Sequence, residues 1–369
     1  PGSYPLVSRA DEAGRSAWTT ETVAPERRVK LELLPSPGLK ASDEVLARVE
    51  QAARGGARVA MIFNLVADAQ ETARRLLARG APVEAFHSRY RFCDRHDIET
   101  RVLKRYGVAG HGQGRVLVAT QVVEQSLDLD FDWMVTQLCP ADLLFQRLGR
   151  LHRHDRPRSA AFPDPRALVL GPVGLELGAS AYVYKNARAM WRTRRLIELR
   201  GTVIFPGAYR EWIEAVYAGD AWSEEPPEIT AAWEKFDAEQ YGKRFAANSI
   251  ASADTTCFND TDGNVTALTR DGEMAANLVL LAEAGGRSMF LDGTAFSETD
   301  DDLDERLNMN TVPVPSHWVK ELSFLTQDRH RSLLMKRSSE RRWRAKRAGA
   351  DWTYDTCFGL ERRKHEPPA

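Results

Sequence analysis

A glutamine and three arginines lie close together in residues 146–154, which read QRLGRLHRH. Arg147, Arg150 and Arg153 are spaced three apart, so on a helix they would project near one face. A guanidinium stays charged at any working pH, and its fork of donors matches phosphate oxygens. Arginines that reach a bound triphosphate can stabilise the charge that develops at its γ-phosphate. The spacing predicts a nucleotide-facing segment, although a solvated basic turn has the same composition.

A second polar segment, residues 120–128 with the sequence TQVVEQSLD, directly follows an apolar stretch. The hydroxyl of Thr120 and several backbone amides at a strand end can hold a phosphodiester without reading the base sequence. The carboxylate of Asp128, eight residues on, can hydrogen-bond a ribose hydroxyl. A polar loop in which Thr120 only caps a helix explains the same pattern.

The elements that must position these segments alternate between apolar strands and amphipathic helices. Strands are predicted at residues 29–34, 58–63, 83–86, 115–119, 133–138 and 166–170. Ser42 is placed to cap a helix that runs to about Arg54. Alternation of this kind predicts a parallel sheet with helices on both faces, whose ligands bind beyond the carboxyl ends of the strands. Asn64, His87 and Thr120 fall at such ends.

The alternation of strands and helices ends after residue 172. The sequence predicts an α/β fold class and a chain that divides into four parts. These are a linker over residues 1–28, the parallel-sheet domain over 29–172, a helical linker over 173–250 and a small α+β domain over 251–369. The last part contains an acidic run at residues 298–305 and a basic run at 336–347 that includes Trp343. The basic run predicts either a single-strand surface that also stacks bases, or a solvated helix with Trp343 turned inward.

Composition restricts the classes of protein to consider. The 369 residues carry a formal net charge of −1, so a nucleic-acid site would need local clustering of cations. The four cysteines form no C-x-x-C pair, which favours reduced thiols in a cytoplasm over a disulfide framework or a zinc ribbon. No run is long and apolar enough to span a membrane, and the start lacks the pattern of a signal peptide.

Several nucleotide-binding motifs are absent from the sequence. Neither G-x-x-x-x-G-K-[ST] nor D-E-x-H occurs, and the glycines near residue 110 lack the lysine and precede a strand. The doublets His96-Asp97 and His154-Asp155 lack the further ligands of an HD metal site, so no metal site is predicted. The phosphate cradle and the magnesium site are therefore expected upstream of Pro1.

Together these segments carry a resemblance to a known family. Residues 120–128 and 146–154 resemble motifs V and VI of superfamily 2 helicases, and Asn64 and residues 87–89 resemble motifs IV and IVa. Most relatives have glycine at the position of His152. The histidine variant, preceded by TQVVEQSLDLDFD, is similar to the CRISPR-associated helicase–nucleases of type I systems. The later stretches AYVYKNARAMWRTRRLIEL and FPGAYREWIEAVY are similar to subtype I-E members.

The resemblance implies a fold and a set of roles. Residues 29–172 would be the second RecA-like helicase domain, and Arg150 and Arg153 would be its catalytic arginine fingers. ATP would contact Asp128, Gln146, Arg147, Arg150 and Arg153. The DNA backbone would contact Asn64, Arg89, Thr120 and Gln121.

The resemblance also implies an activity for a longer parent protein. That protein unwinds and degrades foreign DNA marked by the RNA-guided Cascade complex, and moves 3′ to 5′ on single-stranded DNA as part of antiviral defence. It would use ATP and Mg²⁺, held mainly by a first lobe that is missing here together with the nuclease domain. The chain alone is expected to be inactive and to bind no cofactor tightly. Two alternatives are another superfamily 2 helicase, for DNA repair or RNA, and a non-enzymatic module that docks on nucleic acid or protein.

Overall fold

The computed structural model describes residues 6–12, 14–19, 25–110, 114–124, 127–252, 275–284, 286–299, 301–320, 322, 331–347 and 350–364. Its first element is an antiparallel hairpin of β1 (Leu6–Asp11) and β2 (Gly14–Thr19). The sequence predicted a linker without sustained periodicity at residues 1–28, and the hairpin is regular structure within it that was not predicted. Its strands are exposed where described, and therefore lack the apolar alternation by which a half-buried strand is recognised.

A seven-stranded sheet forms the larger framework. Its strands, in chain order, are β3 (Arg27–Pro35), β4 (Arg58–Ile62), β5 (Val83–Phe86), β6 (Arg115–Ala119), β7 (Trp133–Gln137), β8 (Arg166–Gly171) and β9 (Thr202–Phe205). The spatial order is β5-β6-β4-β7-β8-β3-β9, and every pairing is parallel except that of β3 with β9. The predicted parallel sheet is confirmed.

Helices cover both faces of this sheet, as the alternation of strands and helices predicted. One face packs on α1 (Asp43–Arg54) and α2 (Val66–Ala78). The other packs on α3 (Phe92–Tyr106), α4 (Ala141–Leu148), α6 (Ala187–Arg200) and α7 (Gly207–Tyr217). A short helix α5 (Ser180–Val183) precedes α6. The cap predicted at Ser42 is present, because its side chain accepts a hydrogen bond from Val45 N at 3.3 Å.

The sheet domain extends past residue 172, where a separate helical linker was predicted. Strand β9 adds to the free edge of β3, and α6 and α7 contribute to the core cluster on one face. Phe145 packs edge-on against Phe205 at 5.2 Å between ring centroids and also contacts Trp212. Burial of these rings joins residues 187–217 to the sheet.

Helix α8 (Pro227–Ser252) leads to a second, C-terminal sheet. Its strands are β10 (Ala275–Ala284), β11 (Arg287–Phe290), β12 (Thr311–Pro315), β13 (Arg331–Ser339), β14 (Arg342–Arg347), β15 (Ala350–Asp355) and β16 (Gly359–Lys364), with α9 (Leu303–Met309) between β11 and β12. The basic run forms strands β13 and β14, so the solvated helix was wrong, although Trp343 does turn inward and is 5% exposed. No helix among the described residues is long and apolar enough to cross a membrane.

The C-terminal sheet docks on the loop between β5 and α3. Leu360 N donates to Arg89 O at 2.7 Å, Tyr90 Oη donates to Cys357 O at 2.8 Å, and Arg91 Nη1 donates to Asn310 Oδ1 at 2.8 Å. Gly359 has φ +71°, and an added Cβ would lie 2.3 Å from the carbonyl oxygen of Arg89. Two chain segments therefore approach so closely that only glycine fits.

Gly359→Ala is expected to weaken this docking, because a methyl group at residue 359 meets a backbone oxygen that side-chain motion cannot move away. Gly286→Ala is the matched control, since Gly286 has a similar φ of +76° but nothing within 4 Å of an added Cβ. Overpacking should make Gly359→Ala about 1–3 kcal/mol more destabilising than the control. Urea unfolding of the two variants measures the difference, and equal losses would contradict the close contact.

Candidate functional site

The two predicted finger arginines lie in a loop that follows α4, which we call the arginine loop (residues 149–153). Because α4 ends at Leu148, Arg150 and Arg153 are not on the helix. Phe131 N donates to Arg150 O at 2.9 Å, and His152 N donates to Phe131 O at 3.0 Å. These backbone bonds hold the loop against the segment that connects residues 120–128 to β7.

A buried group of charges lies beneath the arginine loop. Asp130 and Asp132 are 0% and 1% exposed, and both accept hydrogen bonds or ion pairs from Arg156 and Arg158 at 2.6–3.4 Å. Asp130 Oδ1 also accepts from Arg153 N at 2.9 Å. Buried carboxylates require such partners, so the four side chains and the loop backbone form one interdependent unit.

Arg150 and Arg153 keep part of their surface in solvent. Arg150 donates to the carbonyl oxygens of Val123 at 3.2 Å and Glu124 at 2.9 Å. Arg153 donates to the carboxylate of Asp128, which His154 also contacts at 3.1 Å. Slight burial disfavours ionisation of Asp128, but the hydrogen bond and charge of Arg153 prevail and lower its pKa. Arg150, Arg153 and Asp128 thus lie in one region of the surface, and their roles at a nucleotide stay a prediction.

The expectation that Arg147 faces a nucleotide conflicts with the structure. Arg147 is 0% exposed and forms a buried ion pair with Glu124 at 2.8 Å. Its guanidinium also donates to Thr136 Oγ1 at 2.7 Å and to Tyr184 Oη at 3.0 Å. Burial alone would lower its pKa, but the surrounding acceptors outweigh that effect, so Arg147 stays charged. Its hydrogen bonds connect α4, the sheet and the loop after β6 in the interior of the domain.

Gln146 lies one residue before Arg147 on α4 and is half-buried. Its Oε1 is buried and receives no hydrogen bond within the described part of the chain. The structure places it on the helix that precedes the arginine loop, but gives no contact between it and Arg150, Arg153 or Asp128.

Two of the four predicted DNA contacts are buried. Asn64 is 4% exposed, and its side chain donates to Leu138 O at 2.9 Å and accepts from Arg147 at 3.1 Å. Thr120 is 2% exposed. Both side chains are therefore buried, and their role as DNA contacts stays a prediction. Gln121 is half-buried and donates to Asn64 O at 3.0 Å and to Tyr184 Oη at 3.3 Å.

Arg89, the fourth predicted contact, lies between the two sheets. Its guanidinium stacks on the ring of Trp318 at 4.2 Å, and its carbonyl accepts from Leu360 N. Burial lowers the pKa of Arg89 to about 10, which still leaves it charged near neutral pH. Neighbouring His87 is 0% exposed and stacks on Tyr90 at 4.4 Å.

Sequence reasoning missed Glu124, Tyr184 and Asp130, which position the predicted site residues. Glu124 and Asp130 lie within the segment TQVVEQSLDLDFD that carried the resemblance, so their proximity to the site was visible. The burial of Glu124 and Asp130 could not be predicted, because it depends on arginines more than twenty residues away in the sequence. Groups of three or more metal-ligating side chains are not found among the described residues.

His87 should make the chain less stable in acid. Burial first, and the charge of Arg89 second, lower its pKa from 6.5 to about 3, so in that interval only the unfolded state takes up the proton. Stability is complete above pH 6.5, and about 2 kcal/mol should be lost by pH 5. Urea unfolding at pH 7 and pH 5 tests this. His87→Gln should remove this part of the loss, whereas His96→Gln, at an exposed site, should not.

Asp130→Asn should destabilise the chain by about 3 kcal/mol or more, because two partly buried guanidiniums lose the buried carboxylate that they share. Asp155→Asn, at an exposed aspartate in the same segment, should change stability by less than about 0.5 kcal/mol. Denaturant midpoints of the two variants provide the measurement. Similar small shifts for both would show that the cluster does not hold the loop.

Comparison with known proteins relates this geometry to a family. The model of the family described as CRISPR-associated nuclease/helicase Cas3, C-terminal, matches residues 55–156. The model described as CRISPR-associated endonuclease/helicase Cas3, fourth domain, matches residues 273–362. The first match contains the arginine loop, and the second covers most of the C-terminal sheet.

Individual relatives agree with the family matches. The chain is 38% identical over 339 residues to the CRISPR-associated endonuclease/helicase Cas3 of Escherichia coli (strain K12), which covers 88% of this chain and 38% of the relative. A crystal structure of a CRISPR-associated protein matches with a TM-score of 0.83 and 26% identity, over 99% of this chain and 44% of that one.

A third relative matches in fold. It is a chain of a structure titled CRISPR RNA-guided surveillance complex, pre-nicking, with a TM-score of 0.76 and 24% identity, over 97% of this chain and 48% of that one. The chain spans less than half the length of each of these three relatives. Two family models matched in order, and an identity of 38% over most of the chain, show that it belongs to the Cas3 family and corresponds to its C-terminal part.

Proposed function

We propose that the chain is the second helicase lobe and accessory domain of a longer Cas3-type helicase–nuclease. That protein would hydrolyse ATP to move 3′ to 5′ along single-stranded DNA, and would unwind and degrade it. The observation that supports this most is the arginine loop, which holds Arg150 and Arg153 partly exposed beside Asp128. Guanidiniums held on a fixed backbone can stabilise a triphosphate without reorganising during the reaction.

In this proposal ATP and Mg²⁺ are held mainly by a first lobe that this chain does not include. Arg150 and Arg153 would approach the γ-phosphate as arginine fingers when the two lobes close, and Gln146 would lie at the edge of the cleft. Asp128, proposed to contact the ribose, now binds Arg153. Nucleotide arrival would therefore exchange one partner of Arg153 for another, a carboxylate for a phosphate.

The DNA-binding role is proposed for Gln121 and Arg89, which keep partial exposure. Asn64 and Thr120 would position Gln121, since Gln121 donates to the carbonyl oxygen of Asn64 and follows Thr120 in the chain. For a partner, we propose the RNA-guided Cascade complex, because a chain of similar fold occurs in the structure of a surveillance complex before nicking. Foreign DNA marked by that complex would be the substrate, in antiviral defence.

Arg150→Ala or Arg153→Ala in the longer protein should reduce ATPase activity on the order of a thousandfold, as for other arginine fingers. Single-stranded DNA binding should stay close to wild type, because neither side chain is a proposed DNA contact. Steady-state ATPase rates and fluorescence anisotropy measure the two effects.

Arg200→Ala is the control for that experiment, since Arg200 is exposed and lies on α6, outside the arginine loop. The chain by itself should show no magnesium-dependent ATPase, because G-x-x-x-x-G-K-[ST] and D-E-x-H do not occur in its sequence. Full ATPase activity in either finger variant would refute the assigned role.

A further inference from the structure

One face of the C-terminal sheet carries a cluster of exposed cations, which we call the cationic face (Lys336, Arg344 and Lys346). Lys336 on β13 lies directly opposite Arg344 on β14. Lys346 is two residues further along β14, so it projects from the same side. All three side chains are exposed. They form a patch of net positive charge at the solvent side of strands β13 and β14, bordered by Asp351 opposite Lys346.

The fold itself does not explain this arrangement. Like charges directly opposite one another across an antiparallel pair are destabilising. Across the residues that the structure describes, no hydrogen bond or ion pair reaches these three side chains. Two carboxylates on the same sheet are engaged elsewhere, since Asp355 pairs with Arg342 at 3.0 Å and Glu361 pairs with Arg74. Asp351 on β15 lies directly opposite Lys346 and offsets part of the charge. Three cations therefore share one carboxylate, and the cationic face keeps a net positive charge for an external anion.

The side chains of the cationic face favour one kind of polyanion over another. Trp343, Trp352 and Tyr354 all point into the core on the opposite side, with exposures of 5%, 2% and 0%. The predicted stacking of bases on Trp343 is therefore not available. Proteins that grip single strands combine cations with aromatic platforms. A duplex instead hides its bases and presents a dense row of phosphates, which cations alone can contact.

We propose that the cationic face binds the phosphate backbone of double-stranded DNA without reading its sequence. The choice of DNA as the polyanion rests on the proposed function. The face would hold a duplex next to the lobe, while the arginine loop would contact the nucleotide.

A competing occupant lies within the chain. Helix α9, which carries the exposed acidic residues Asp304 and Glu305, packs through Leu307 against Leu281. Leu281 is paired with Leu334, which projects from the same side of β13 as Lys336. An acidic peptide is therefore the alternative ligand that a test must separate from the duplex.

The test measures binding of the chain to a fluorescent duplex of about 20 base pairs and to oligothymidylate of equal length. The triple variant K336Q/R344Q/K346Q should weaken duplex binding at least about tenfold at low salt. Each lost phosphate contact lowers the slope of log K against log salt by about 0.9, so three contacts should lower it by about 2.7. Binding of oligothymidylate should change less.

The matched control K104Q/R200Q/K235Q removes the same charge from exposed residues on α3, α6 and α8. It should bind the duplex like the wild type. K336R/K346R, which keeps the charge, should also bind normally. The thermal midpoint of the triple glutamine variant should change little, because it removes both the repulsion between Lys336 and Arg344 and the attraction between Lys346 and Asp351.

Equal loss of duplex binding in the control, or no loss in the triple variant, would overturn the proposal. So would a larger loss on oligothymidylate than on the duplex. If the triple variant lost only its affinity for the peptide SETDDDLDE, the face would bind acidic protein and the proposal would fall. None of these readouts involves ATP hydrolysis, so they are distinct from failure of the finger variants.

Discussion

The buried carboxylate of Asp130 is the group on which the arrangement of the arginine loop depends. It accepts from the backbone of Arg153 and from the side chains of Arg156 and Arg158, so one carboxylate connects the end of the arginine loop to the segment that follows it. A carboxylate without water around it must be matched by donors, and here the backbone of Arg153 and two partly buried guanidiniums supply them. The exposed guanidinium of Arg153 is therefore attached to a rigid base, while its own side chain stays free to exchange partners.

The C-terminal sheet contributes to the helicase lobe as well as following it in the chain. It covers the loop after β5, where Arg89 lies between Trp318 and the start of β16. A change in the docking of this sheet would therefore alter the environment of Arg89 directly. This contact gives a physical route by which a ligand on the C-terminal domain would affect the proposed DNA contact of Arg89, since both share one loop.

Features that depend on neighbouring residues in sequence could be predicted, and features that depend on distant partners could not. The strands of the parallel sheet and the cap at Ser42 follow from local pattern. By contrast, the spacing of Arg147 with Arg150 and Arg153 suggested a common face, whereas α4 ends between the first two. The burial of Arg147 requires Glu124 and Thr136, which only the folded sheet brings near. The basic run became strands for the same reason, because strand formation depends on pairing with neighbours.

His152 has a φ of +46°, a left-handed conformation that favours glycine and that histidine adopts more readily than most residues. Its ring nitrogen lies 3.2 Å from the carbonyl oxygen of Asp132, so the side chain helps to hold that conformation. A glycine would sample many more backbone states when the loop is not engaged. Histidine thus transfers part of the entropy cost of ordering the loop from the proposed binding of a nucleotide to the folding of the chain, so the loop would meet that ligand preorganised.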